Sequence, residues 1–117
     1  MNLDLERLIG LHDLDVMIAD LERKEVQDRE KMMGLSPEKA REELIAMRAE
    51  YIKNINKRWL GLYNQLTRHY GNAVVPAVAY RCTGCLTRLP TAMCSDPERN
   101  DRINTCPTCS RIMYWAE

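Results

Sequence analysis

Cys82-Thr-Gly-Cys85 and Cys106-Pro-Thr-Cys109 are two Cys-x-x-Cys pairs with twenty residues between them, and their reading decides how the last third of the chain folds. Each pair can sit on a tight turn whose backbone N–H groups point at the sulfurs. Two such turns supply a closed tetrahedron of thiolates, which is the donor set and spacing of one structural Zn2+. The other readings of the motif are a disulfide framework and a redox-active pair. Gly84 and Pro107 suit the turns, since glycine tolerates unusual backbone angles and proline fixes one in advance. The expected ligands are therefore Cys82, Cys85, Cys106 and Cys109. Cys94 has no partner at that spacing, so it reads as a small buried apolar residue.

Outside this region, composition sets bounds. The chain has 117 residues with no Phe, five Gly, five Pro and 29% charged residues, which fits a helix-rich folded protein of one ordinary domain or two small ones. The cysteine region alone is too short to be held by an apolar core, so metal has to do that work. Asp4, Glu6 and Arg7 interrupt the leucines at the N-terminus, unlike a signal peptide, and the longest nearly apolar run, Ala73 to Tyr80, is far too short to cross a bilayer. An odd count of five cysteines fits a reducing compartment. The expected location is the cytoplasm, with no membrane partner and no small-molecule substrate.

The stretch from Leu3 to Met33 contains no proline and ends at Gly34; Leu8, Leu11, Leu14, Ile18 and Leu21 recur at helical spacing, which predicts one long helix. Gly34, Ser36 and Pro37 then supply a left-handed stop, an N-cap and a first-turn proline. A second helix is predicted from Pro37 to Tyr70, ending at Gly71, with Ile45, Ile52, Trp59 and Leu66 at steps of seven and Ile55 and Leu62 between them. Folding at Leu35 brings the two seams into register, with Ile18 near Ile52 and Leu11 near Trp59. Residues 1–33 hold nine acids against five bases and residues 38–70 hold seven bases against four acids, so charge favours the same pairing. Gly10 and Gly61 fall at one level of the hairpin; either they admit a bulky neighbour or they are tolerated surface glycines.

From Ala73 the chain turns β-prone, although Pro76 suggests an edge strand or linker. Short segments flank both cysteine pairs, making a zinc ribbon. The expected class is α+β: a long antiparallel two-helix coiled-coil hairpin over residues 1–72, then a small C4 zinc ribbon over residues 73–117. Cys-x-Gly-Cys, a nearby Leu89-Pro90, and Cys-Pro-x-Cys-x-Arg-Ile-x-Tyr-Trp resemble the bacterial C4-type zinc-ribbon family, whose members place the ribbon after a coiled-coil hairpin. The resemblance is specific over about Tyr80 to Trp115 and architectural before it. It implies an interaction protein of flagellar regulation, with partners such as the sigma-54 class of sigma factor or, in one relative, a flagellin messenger RNA. Two features differ: the hairpin is shorter than in those relatives, and Ser110 stands where they commonly have glycine.

The chemistry argues separately against an enzyme. Four thiolates saturate zinc and leave no position to activate water. His12 and His69 are single histidines on helices away from the cysteines. Three binding readings follow. The first is a protein-contact adaptor on the transcription machinery, a sigma factor or an RNA polymerase component. The second is nucleic-acid binding, because no acid occurs from Tyr51 to Ser95 while Lys53, Lys57, Arg58, Arg68, Arg81 and Arg88 do. The third, an RNA-polymerase secondary-channel factor, needs acids at the hairpin tip, which is neutral to basic here. The expected contact surface is Arg81, Arg88, Arg111 and Trp115 at the ribbon end, with Met32, Met33 and Leu35 at the tip as the alternative.

Overall fold

A computed structural model describes residues 1–34 and 36–116; the expected tip residue Leu35 lies outside the described residues. Each long helix anticipated from the sequence is interrupted. The first is divided into α1 (Leu3–Glu22) and α2 (Lys24–Met32) by Arg23, whose backbone is extended at φ −74° and ψ 131°. The Gln27 side-chain amide donates to the Leu21 carbonyl at 3.1 Å, satisfying an acceptor near the break. The second is divided into α3 (Pro37–Tyr51) and α4 (Lys57–Tyr70). Between them a single 3-10 turn, Ile52–Asn54, runs into Ile55 at φ −93° and ψ 135°, and Asn56 then caps α4 by accepting from the Arg58 N–H at 2.9 Å. A continuous coiled-coil hairpin is therefore not what these residues form, and the architecture is mixed helix and small sheet. The helix-end signals do hold: Ser36 accepts from the Lys39 N–H at 3.4 Å, Pro37 opens α3, and Gly71 closes α4 in the left-handed region at φ 83°. Among the described residues no helix is long and apolar enough to cross a membrane.

Compactness divides the chain into Met1–Ile9 with Asn56–Glu117, and Gly10–Ile55, whereas its composition changes at residues 72 and 73. In the Gly10–Ile55 unit, Asp15 pairs with Arg48 and Glu22 with Arg41, both at 2.6 Å, and Lys31 with Glu38 at 3.6 Å. These pairs descend one segment as they climb the other, an antiparallel order; Asp15–Arg48 and Glu22–Arg41 realise the charge asymmetry of the sequence, while Lys31–Glu38 at the turn reverses it. The unit is thin: Leu11 and Ile55 are buried, Leu14, Ile18, Leu21, Val26 and Leu44 only partly so, and Ile45 is exposed. Gly10 admits a bulky neighbour, because a Cβ there would run into the Tyr51 hydroxyl, whereas nothing approaches Gly61.

The other unit holds a four-stranded sheet of β1 (Val74–Val78), β2 (Arg81–Cys82), β3 (Asn104–Thr105) and β4 (Ile112–Trp115) in the order β2-β1-β4-β3. β1 and β4 run parallel at the centre, Val74 beside Ile112 and Ala77 beside Trp115. β2 and β3 flank them antiparallel. Pro76 thus sits in a central strand, not an edge. Its carbonyl accepts from the Thr83 N–H and hydroxyl on the β2 side, so its missing N–H also faces that side, where β2 pairing starts only at Ala77. No ladder bond is lost. Along β1 and β4 the alternation of faces puts Val75, Ala77, Met113 and Trp115 into one buried cluster with the cysteines and Leu89. Val74 and Ile112 lie on the opposite face, and the unit's remaining large buried residues are Leu5, Leu8, Tyr63 and Leu66.

The Asn100 side chain finishes the sheet. It accepts from the Trp115 N–H at 2.9 Å and donates to the Trp115 carbonyl at 2.6 Å, acting as a substitute strand residue. Its backbone carbonyl receives the Asn2 N–H at 2.7 Å, and the Asn2 side chain caps α1 by accepting from Leu5 at 3.0 Å.

Candidate metal centre

Two similar turns build the centre. In the first, the Cys82 N–H donates to the Thr87 carbonyl at 3.1 Å and the Leu86 N–H to the Cys82 carbonyl at 2.7 Å. In the second, Cys106 donates to Arg111 at 2.9 Å and Ser110 to Cys106 at 2.9 Å. The residue after each pair bends the chain back through left-handed backbone, Leu86 at φ 63° and Ser110 at φ 69°. That conformation is one glycine adopts freely, which accounts for the glycine common at the Ser110 position in the resembling family.

The four sulfurs lie within 4.8 Å of one another, with Cys82 to Cys109 at 3.8 Å and Cys85 to Cys106 at 3.7 Å. Disulfides require sulfurs at about 2.0 Å. A zinc ion bonded to four thiolates at about 2.3 Å separates them by about 3.8 Å. The donor set and its spacing thus fit one ion. Cys82, Cys106 and Cys109 are buried while Cys85 is partly exposed. Burial pushes the Cys82 thiol up to about 12, while donation from the Thr87 hydroxyl and N–H lowers Cys85 to about 6. Burial thus disfavours the Cys82 thiolate, and a cation at the centre would supply the opposite charge that stabilises it. Cys94 lies outside the tetrad and packs, partly buried, against the core cluster.

Arg111, expected on the surface, is instead 9% exposed. Its Nε donates to the Asn72 side-chain oxygen at 3.0 Å, and its guanidinium lies 4.0 Å from the centre of the Tyr70 ring. A Cβ at Gly84 would stand 2.7 Å from two Arg111 atoms. Gly84 therefore serves by leaving room for this cation, since the left-handed angles fall at Leu86 and Ser110 instead. Trp115 is likewise in the core, at 8% exposure, because β4 is a central strand. Of the expected contact residues at this end, only Arg81 and Arg88 face solvent. They form a single isolated antiparallel bridge, Arg81 of β2 with Arg88 of the following loop. Met32 and Met33 are 89% and 69% exposed. Tyr70 and Asn72 carry no local signal: an aromatic in the last turn of a helix and an amide just past its end do not announce an arginine docking there from about forty residues away.

No protein-family model and no curated protein matches the chain. Its fold is similar to solved structures. CT398 from Chlamydia trachomatis aligns with a TM-score of 0.60 at 21% identity, over 80% of this chain and 38% of that one. The HP0958 protein from Helicobacter pylori gives 0.60 at 19% over the same shares, and a protein from Mycobacterium smegmatis gives 0.56 at 19%, over 79% and 40%. The chain thus spans about two fifths of the length of these proteins.

Proposed function

We propose that Cys82, Cys85, Cys106 and Cys109 hold one structural Zn2+ and that the chain is a zinc-dependent interaction module which binds a protein partner. The observation that carries this reading is the closed sulfur tetrad, all four atoms within 4.8 Å of one another and the two pairs Cys82–Cys109 and Cys85–Cys106 at 3.8 and 3.7 Å, the separation of tetrahedral ligands. Bound there, the metal supplies charge and a cross-link between two turns, with no ligand position left for a substrate. The turns and sheet are a zinc ribbon in this reading, and the antiparallel ion pairs of residues 10–55 support a short coiled-coil-like hairpin. The partner we propose is a sigma factor or RNA polymerase component in the cytoplasm, on the strength of the resemblance over Tyr80 to Trp115.

Nucleic-acid binding is the second reading, favoured by the exposure of Lys57, Arg58, Arg68, Arg81 and Arg88 within an acid-free stretch. The purified protein should contain about one zinc, which serine at any of the four ligands removes and Cys94→Ser leaves. Metal loss on changing Cys94 would overturn the ligand set. Capture of the partner from bacterial extract should be zinc-dependent, whereas RNA or DNA retained with a steep, log-linear salt dependence would favour the second reading.

A further inference from the structure

Around the first turn, the chain repeatedly chooses residues that oppose its own stability. Tyr80 and Leu86 both have left-handed backbone, at φ 62° and 63°, where glycine or asparagine avoids the strain of a side chain. Tyr80 closes the two-residue β1–β2 turn with Ala79, also left-handed at φ 52°, although Asn-Gly is the usual choice for that geometry. Burial does not explain these choices, because Tyr80 is 48% and Leu86 67% exposed.

Beside them a short row runs across β1 and β2 to an isolated bridge at Arg88. Val78 pairs with Arg81 and Arg81 with Arg88, and directly opposed side chains share a face. Val78 is 55% exposed. The neighbouring row, Ala77 and Cys82, is buried, so the outer row is left for contact with another molecule. Two arginines placed opposite each other repel, and among the described residues no acid pairs with either. The Arg81 guanidinium also donates to the Leu86 carbonyl at 3.0 Å, tying the row to the turn. Strained backbone, exposed apolar side chains and two arginines without a carboxylate partner thus lie close together around the first turn.

Resting on the interaction-module reading, we propose that Val78, Tyr80 and Leu86, rimmed by Arg81 and Arg88, form its docking face, and that its occupant is an acidic peptide segment carrying apolar side chains. Charge complementarity selects the acids, since no Asp or Glu occurs from residue 51 to 95. The centre selects the apolar groups: two of its three members, Val78 and Leu86, are aliphatic, and Tyr80 alone has a ring on which a base could stack, whereas a nucleic-acid platform stacks successive bases on several aromatics.

The test uses the full-length, zinc-loaded protein and three labelled probes: a synthetic peptide of repeated Asp-Leu-Glu-Phe, its Asp-Ser-Glu-Ser counterpart, and oligouridylate. Tyr80→Gly with Leu86→Gly should raise the thermal midpoint by relieving backbone strain, yet weaken the first peptide at least tenfold. Arg88→Glu should weaken it similarly with zinc content unchanged. The Ser counterpart should bind at least tenfold more weakly than the Leu-Phe peptide. Equal binding by the glycine variant, preference for oligouridylate, or self-association abolished by these substitutions with no peptide bound would each overturn the proposal. If both proteins capture the same partner from extract in a zinc-dependent way, the module reading stands and this face is wrong; if neither does, the module reading fails as well.

Discussion

Arg111 offers the sharpest test of how the metal centre is held to the rest of its unit. Its hydrogen bond to Asn72 at 3.0 Å is one made by a charged donor, a kind that contributes about 1.5–3 kcal/mol. Its position over Tyr70 at 4.0 Å, largely out of water, adds about 0.5–2 kcal/mol. Arg111→Ala should therefore destabilise the zinc-loaded protein by about 2–4 kcal/mol. For a unit of this size that lowers its melting temperature by on the order of 10–20 °C. Gly84→Ala should also destabilise, by about 1–3 kcal/mol, because the new methyl stands 2.7 Å from Arg111 Cδ and Nη1 and the guanidinium is pinned from two other sides. The two effects are not independent. With Arg111 already truncated to Ala, the atoms that collide are gone, and Gly84→Ala should be close to neutral. A double-mutant cycle by thermal or urea denaturation at saturating zinc measures this coupling. Equal costs for Gly84→Ala in both backgrounds would show that Gly84 is required by its backbone and would refute the packing argument.

Other perturbations have clear directions. Ser110→Gly should stabilise the second turn by about 0.5–1 kcal/mol, since glycine occupies φ 69° without strain; a lower melting temperature would count against the turn geometry. Gly10→Ala should destabilise by on the order of 1 kcal/mol through the Tyr51 hydroxyl, with Tyr51→Phe restoring much of the loss, while Gly61→Ala, facing open space, should stabilise by about 1 kcal/mol. Chelation should erase the metal-bearing unit's helices, fourteen residues of α4, five of a short α5 (Thr91–Ser95) and seven at the start of α1, out of sixty-three α-helical residues among those described. About two fifths of the helical circular-dichroism signal should go; loss of nearly all or nearly none would contradict this. Zinc affinity should fall as pH falls, because protons compete for the thiolates. Because chelation unfolds the unit, the competing protons are those of thiols in the metal-free chain, whose ordinary value is about 8.5. The log-affinity slope should therefore be steep below about pH 8 and flatten above it; a slope that does not change, measured by chelator competition, would count against thiolate ligation.

The cysteine tetrad was legible because ligand spacing is a local, chemically exclusive pattern, and the helix ends because caps act within a few residues. The interruptions were not read. Arg23 gives no breaking signal at all, and the seven-residue recurrence from Ile45 to Leu66 runs unbroken across Asn56, so that a good N-cap residue stands inside a continuous apolar pattern. Trp115 and Arg111 were placed outside because aromatic and cationic side chains near a chain end resemble a contact surface. Their burial follows from β4 taking the middle of the sheet, a topological fact with no local mark. Pro76 misled for the same reason: what matters is the direction of its missing donor, and that depends on a neighbour not adjacent in sequence.

The strand order also sets how the ribbon can assemble. β1 with β2, and β3 with β4, are local antiparallel pairs, each leading into or enclosing one cysteine turn, whereas the central β1–β4 pair joins residues thirty-eight apart, as Val74 to Ile112. Local pairs close short loops and form first, while the central pair must overcome a larger closure entropy. With zinc at the tetrad as proposed, each half would carry two sulfurs and hold the ion only weakly, and the ion's remaining two coordination positions would draw in the other half. Metal capture and formation of the central strand pair would in this way be one event, the ion acting as the last fastener in the folding path, with its supply setting how fast the chain matures.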